Sequence, residues 1–175
     1  MTQHQDDETA PADPATAYLA GVRERLTADG THLTRAGWQG HRVVVGSRSD
    51  RKARWLGTKV ELFVFAAAVP GVDGGSLAEF TGWALEYAKG IRSGVAGARN
   101  AAMVLPALIS SGVHPSAAQW AAADGRVLGT TLIARPVVVE PAARGTARVT
   151  LYRGRAAWGG MFTSHVLEKA ALYFP

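Results

Sequence analysis

The sequence predicts an α+β sandwich: a single domain built on one mixed, mostly antiparallel sheet with helices packed on it. Three observations point there. The 175 residues are 47% hydrophobic and 19% charged, enough apolar material for one core and too much for a disordered chain. The apolar period switches between two and about 3.6 along the chain, which separates strands from helices. The elements run roughly α-β-β-α-β-α-β-β-α, in which hairpins alternate with crossover helices. A doubly wound sheet is the alternative order of packing.

Residues 1–13 are polar and acidic, with one proline, and read as a disordered tail ahead of a domain over 14–175. Asp13 as N-cap and Pro14 at the first helical position open a helix. Tyr18, Leu19, Val22 and Leu26 give it one apolar stripe, and Asp29-Gly30 ends it. His41 to Ser47 is a strand centred on three valines. Thr58 to Val69 is a second, longer strand. Val60, Leu62 and Val64 share one of its faces with Lys59 and Glu61 on the other, until Phe63 and Phe65 make both faces apolar.

Ser76 followed by Glu79 reads as a capping box. Leu77, Phe80, Ala84, Tyr87 and Ile91 then line one helical face, and Gly90 and Gly94 close the helix. Ala101 to Ile109 fits a buried strand or a helix; Pro106 disfavours both interiors, and a strand with a local irregularity is the preferred reading. Pro115 opens a short helix to Ala123. Val127 to Glu140 holds one or two strands bent near Arg135-Pro136, Ala147 to Arg153 holds another, and a last helix covers about Ser164 to Leu172.

Several chemistries are excluded or weakened by residue type. With no cysteine, thiolate metal sites, iron–sulfur clusters and cysteine nucleophiles are absent. The five histidines are isolated, without the His-x-x-His or H-E-x-x-H spacing of a local metal site. Gly46 is followed by Arg51-Lys52-Ala53, so the second glycine and the hydroxyl of a phosphate-binding loop are missing. The glycines at 90, 94 and 97 follow a helix rather than a strand, unlike a dinucleotide fingerprint. No G-x-S-x-G elbow occurs. No catalytic residue, metal or cofactor is therefore assigned.

Gly46-Ser47-Arg48-Ser49-Asp50 resembles the strand-end loop of the aminoimidazole ribonucleotide carboxylase/mutase family, which implies nucleotide contacts from the Ser and the Asp. The resemblance stops there, because Ala68-Val69-Pro70-Gly71 stands where that family carries its Ser-Ala-His-Arg element. The same GSRSD, followed by Arg51 to Trp55, a Phe-rich strand and Gly159-Gly160, is similar to an uncharacterised family of small actinobacterial and haloarchaeal proteins. That resemblance covers most of the chain and implies no known activity. Heavy Ala, Gly and Arg usage fits such a high-GC source.

The net charge of +5 divides into an acidic segment and a basic body. Residues 1–14 carry four acids and no cation, leaving 19 positive and 10 negative charges, or +9, on the rest. Arg48, Arg51, Lys52, Arg54 and Lys59 lie within twelve positions together with Trp55 and a single acid, Asp50. A second group holds Arg148, Arg153 and Arg155, with Tyr152 and Trp158. Arginine forks suit phosphate or carboxylate, and Trp55 offers a stacking face. The alternative for the first cluster is an exposed connector in which Asp50 pairs locally with an arginine and Trp55 covers the core edge.

The sequence thus predicts a basic, soluble, cytoplasmic binding protein. Its site residues would be Arg48, Asp50, Arg51, Arg54, Trp55, Arg148 and Arg153, and its partner an anionic small molecule or an acidic protein. A homodimer is expected and a membrane is not; an exposed Met103–Leu105 patch would argue for self-association. Two alternatives are an enzyme on a small phosphorylated or carboxylated metabolite, with Asp50 and a histidine as acid and base, and a non-specific nucleic-acid binder. The acidic tail could fold over the basic surface and compete with anions.

Overall fold

The computed structural model describes residues 13–52, 55, 58–92, 100–123, 126–128, 132–142, 146–155 and 160–175. Its helices are α1 (Pro14–Ala28), α2 (Gly74–Ile91), α3 (Pro115–Ala122) and α4 (Thr163–Tyr173). The strands are β1 (His32–Trp38), β2 (His41–Arg51), β3 (Lys59–Ala68), β4 (Asn100–Ile109), β5 (Arg126–Leu128), β6 (Leu132–Ala134), β7 (Val137–Pro141) and β8 (Ala147–Thr150). They form one mixed sheet in the order β1-β2-β3-β4-β6-β5, with β7 also on β4 and β8 on β7. Antiparallel hairpins flank a parallel centre where β3, β4, β6 and β7 meet. This is the α+β arrangement that the period changes predict.

Apolar residues on both sides of the central strands require cover on both faces. Val60, Leu62 and Val64 of β3 pack under α1 and α4 with Val22, Leu26, Val166 and Tyr173. Phe63, Phe65 and Ala67 pack under α2 and α3 with Leu77, Phe80, Ala84 and Ala117. Met103 and Leu105 are buried, at 2% and 0% exposure, so they supply no exposed patch for self-association. No helix among the described residues is long and apolar enough to cross a membrane.

Several sequence expectations are corrected; over 126–141 three strands, β5, β6 and β7, stand where one or two are expected. First, β1 lies between α1 and β2, where no element is expected; it joins β2 through Gln39 and Gly40, both at positive φ (46° and 80°). Two consecutive positive φ values make the tight hairpin turn whose twist matches the strands. Second, β2 continues four residues beyond Ser47, so Arg48, Asp50 and Arg51 are strand residues. Third, the capping box of α2 is Asp73 with Ser76: Ser76 N donates to Asp73 Oδ1 at 2.8 Å and Asp73 N donates to Ser76 Oγ at 2.9 Å. Glu79 instead accepts from Gln39 Nε2 at 3.0 Å, and Ile91, expected on the apolar stripe, is 45% exposed. Fourth, β8 stops at Thr150 rather than Arg153.

Pro106 sits inside β4, opposite Phe65 in the parallel ladder with β3. On its other edge, β4 pairs β6 through Ala102–Val104 and β7 through Ala107–Ile109. Val104 O accepts from Arg135 N at 2.8 Å on that edge, and residues two apart in a strand point their backbone groups to the same side. The missing N–H of Pro106 therefore faces the break between β6 and β7. The irregularity lies in the neighbouring strand.

Candidate functional site

Arg48 and Asp50 occupy the even phase of β2, the phase that faces α1 and α4. Gly46 precedes them on that phase, and a Cβ there would come within 2.9 Å of Thr31 Cγ2 and 3.3 Å of Leu26 Cδ2. Its bare backbone lets the end of α1 sit down on the strand, which brings Asp29, the C-cap of α1, against Arg48. Arg48 forks onto Asp50, Nε to Oδ2 at 2.8 Å and Nη2 to Oδ1 at 2.7 Å. Its Nη1 donates to the Asp29 carbonyl at 2.9 Å and also to the Asp29 carboxylate.

From α4 come three more groups at spacings of four, hence on one helical face. His165 Nε2 lies 3.0 Å from Asp50 Oδ2. Lys169 Nζ donates to both Asp29 oxygens, at 2.8 and 2.7 Å. Tyr173 OH donates to Asp29 Oδ2. An acid at a helix C-terminus opposes the helix dipole, and Asp29 is tolerated there because these donors surround it.

Titration follows from those contacts. Burial pushes Asp29 up, but the hydrogen bonds from Lys169, Tyr173 and Arg48 outweigh it and hold the carboxyl below its ordinary value. Asp50 behaves alike: burial opposes, while Arg48 and His165 pull it down. Arg48 is raised, first by its bond to Asp50. His165 is lowered by burial, against the pull of Asp50. Burial and the bond to Asp29 push Tyr173 up to about 12. With His165 neutral, two carboxylates face two cations, and its Nε2–H is the donor to Asp50. The opposite nitrogen, Nδ1, is buried and has no hydrogen-bond partner among the described residues.

Of the other sequence-predicted site residues, Trp55 meets this cluster at the His165 ring, while Arg51, Arg148 and Arg153 are exposed. Trp55 is 1% exposed, edge-on to Phe162 and His165 at 5.4 and 5.0 Å, so it covers the core edge. Lys52 Nζ sits over its ring at 5.6 Å. Arg51 is exposed at the end of β2. Arg54 and Trp158 lie outside the described residues. Arg148 is exposed on β8, 3.6 Å from Glu140, and shares a cavity with α3, on the opposite face and the opposite flank of the sheet. Arg153 is exposed beyond β8. Arg148 therefore stands apart from Arg48 and Asp50. Among the described residues, no three His, Asp or Glu side chains are grouped to hold a metal ion.

A different set of arginines does converge. The outward flank of α1 and the β1–β2 hairpin bound a groove of about 480 Å³, within the ~300–1,000 Å³ range of ligand pockets. Arg23 enters it from α1, Arg35 from β1 and Arg42 from β2. Register places Arg35 opposite Val44 and Arg42 opposite Gly37, so the two arginines are diagonal neighbours on the face that α1 covers. Leu19, Leu33 and Val44, half-buried against the core, make the apolar part of the lining. Among the described residues, no carboxylate lines the groove; Glu24 lies in the adjoining depression with Arg23. Among the described residues, none of the three guanidinium groups has a salt-bridge or hydrogen-bond partner. Sequence reading misses this site because its arginines are spread over twenty positions and three elements.

Comparison with protein-family models, with curated proteins and with solved structures returned no match.

Proposed function

We propose that this chain is a non-enzymatic binding protein that takes an anionic ligand in the groove between α1 and the β1–β2 hairpin. The observation that carries this reading is the convergence of Arg23, Arg35 and Arg42 without a carboxylate among them. Three like charges facing one groove repel, and a bound anion relieves that repulsion. Arg48, by contrast, is committed to Asp29 and Asp50. The test is an amide chemical-shift titration with inorganic phosphate and with citrate at constant ionic strength. Saturable shifts at residues 19–27, 33–35 and 42–44 support the reading. Shifts centred on residues 48–55 and 148–153, or no saturation, remove it.

A second reading, an enzyme on a small phosphorylated or carboxylated metabolite, is favoured by the Asp50–His165 contact at 3.0 Å. The carboxylate fixes the tautomer and leaves Nδ1 as a base. Substrate would have to reach that nitrogen, which the fold buries. Diethyl pyrocarbonate labelling of the native protein decides: rapid modification of His165 supports catalysis, and protection until unfolding removes it.

A further inference from the structure

We infer that the ligand of the α1–hairpin groove is an amphipathic anion: one phosphate or carboxylate headgroup carried on an aliphatic body. This inference rests on the anion-binding reading of the same groove and specifies what that ligand is.

The groove is two-sided in chemistry. Arg35 and Arg42 project from adjacent strands at diagonal positions, where two planar forks can bracket one tetrahedral or planar anion. Beside Arg42, its cross-strand partner Gly37 leaves open space; a Cβ there would meet nothing within 4 Å. A headgroup can therefore enter without displacing a side chain. Arg23 closes on it from α1. The rest of the lining is Leu19, Ala20, Leu33, Val43 and Val44 with Thr16, Thr27 and Thr34 among them, and Leu19, Leu33 and Val44 are half-buried. An inorganic anion would leave that surface wet, whereas an aliphatic body would cover it. Among the described residues, no aromatic side chain lines the groove, so they offer no stacking platform of the kind that a nucleobase or single-stranded nucleic acid uses. The concavity suits a ligand taken as a monomer rather than a flat lipid surface.

Isothermal titration of the full chain at constant ionic strength tests this, with ethyl phosphate, octyl phosphate kept monomeric, and vesicles containing phosphatidic acid. Each methylene fully removed from water is worth about fourfold in affinity, so the six that separate the probes need only partial cover. Octyl phosphate is expected to bind at least tenfold more tightly than ethyl phosphate, with Arg42→Ala weakening both probes at least tenfold. Leu33→Thr should narrow the gap between them while ethyl phosphate binding is retained. Equal affinity for the two phosphates overturns the aliphatic ligand while leaving anion binding intact. Binding of vesicles without octyl phosphate overturns the monomeric ligand. Chain-length dependence unaffected by Arg42→Ala places the site elsewhere and overturns the inference. No binding of any probe removes the anion-binding reading as well.

Discussion

Asp50 and His165, 115 residues apart in the chain, share a hydrogen bond of 3.0 Å that joins the end of β2 to the last helix. The same carboxylate takes the fork of Arg48. Through Arg48, Asp29 and Lys169 the contact extends to the end of α1. Three segments distant in sequence are locked by groups whose charges balance only while His165 is neutral.

That balance sets a pH dependence. His165 titrates below its ordinary value of 6.5 in the fold, so below about pH 6.5 the unfolded chain binds the proton more readily and stability falls. Asp29 and Asp50 are also lowered, from 3.8, and add a second loss at more acidic pH. Tyr173 is raised from 10.0 to about 12, so its contribution is lost as pH climbs through that window. Urea midpoints should therefore hold level from about pH 7 to 10 and drop as pH falls from 7 to 5. In His165→Gln the midpoint should be lower throughout and level between pH 5 and 7. A wild-type profile that is level there contradicts this account of His165.

Asp29 accepts from Lys169, Tyr173 and Arg48 at once. Asp29→Ala removes the acid and leaves two cations facing each other, 10% and 19% exposed. The expected cost is about 3 kcal/mol by denaturant unfolding. Adding Lys169→Met to Asp29→Ala should recover part of that loss. A double variant as unstable as the sum of the two single variants shows the groups to be uncoupled.

Gly46 is required by close approach rather than by backbone angle. Gly46→Ala places a methyl 2.9 Å from Thr31 Cγ2 and 3.3 Å from Leu26 Cδ2. It should cost about 1–2 kcal/mol as an overpacking change. Thr31→Ser, which removes the methyl, should restore part of it. A neutral Gly46→Ala would mean that α1 is not held as close to β2 as the structure places it.

How much of this was legible from sequence follows from where each signal resides. Asp13-Pro14 and the stripe of Val22 and Leu26 mark α1 locally, and alternation marks β3, so both emerge as expected. β1 is hidden because this edge strand, with Arg35 beside the groove, carries no apolar alternation; its only clue is Gly40 after Gln39. Arg48 and Asp50 are recognisable as a basic–acidic feature but read as loop residues. The even phase Val44, Gly46, Arg48, Asp50 carries the strand onward beyond Ser47. Lys169 and Tyr173 give no local sign of their role. Asp29 gives one, an acid at the wrong end of a helix dipole. The groove arginines are invisible without the hairpin register, because no window of sequence holds all three.

The acidic residues Asp6, Asp7 and Glu8 precede α1 in sequence, and an acidic segment within reach of the groove would compete electrostatically with a bound anion. Removing residues 1–12 should raise anion affinity several-fold at low salt and by less at high salt. Asp13 must be kept, because its carboxylate caps α1 through Thr16 N at 3.2 Å. Unchanged or weaker binding in the truncated chain contradicts this competition.

The most direct test of the central claim compares two arginines that sequence alone ranks the other way. Anion affinity, measured with octyl phosphate at constant ionic strength, should fall at least tenfold in Arg42→Ala. It should stay within twofold of wild type in Arg51→Ala, with both variants matching the wild-type unfolding midpoint. Loss of binding in Arg51→Ala with none in Arg42→Ala would contradict the assignment of the site to the α1–hairpin groove.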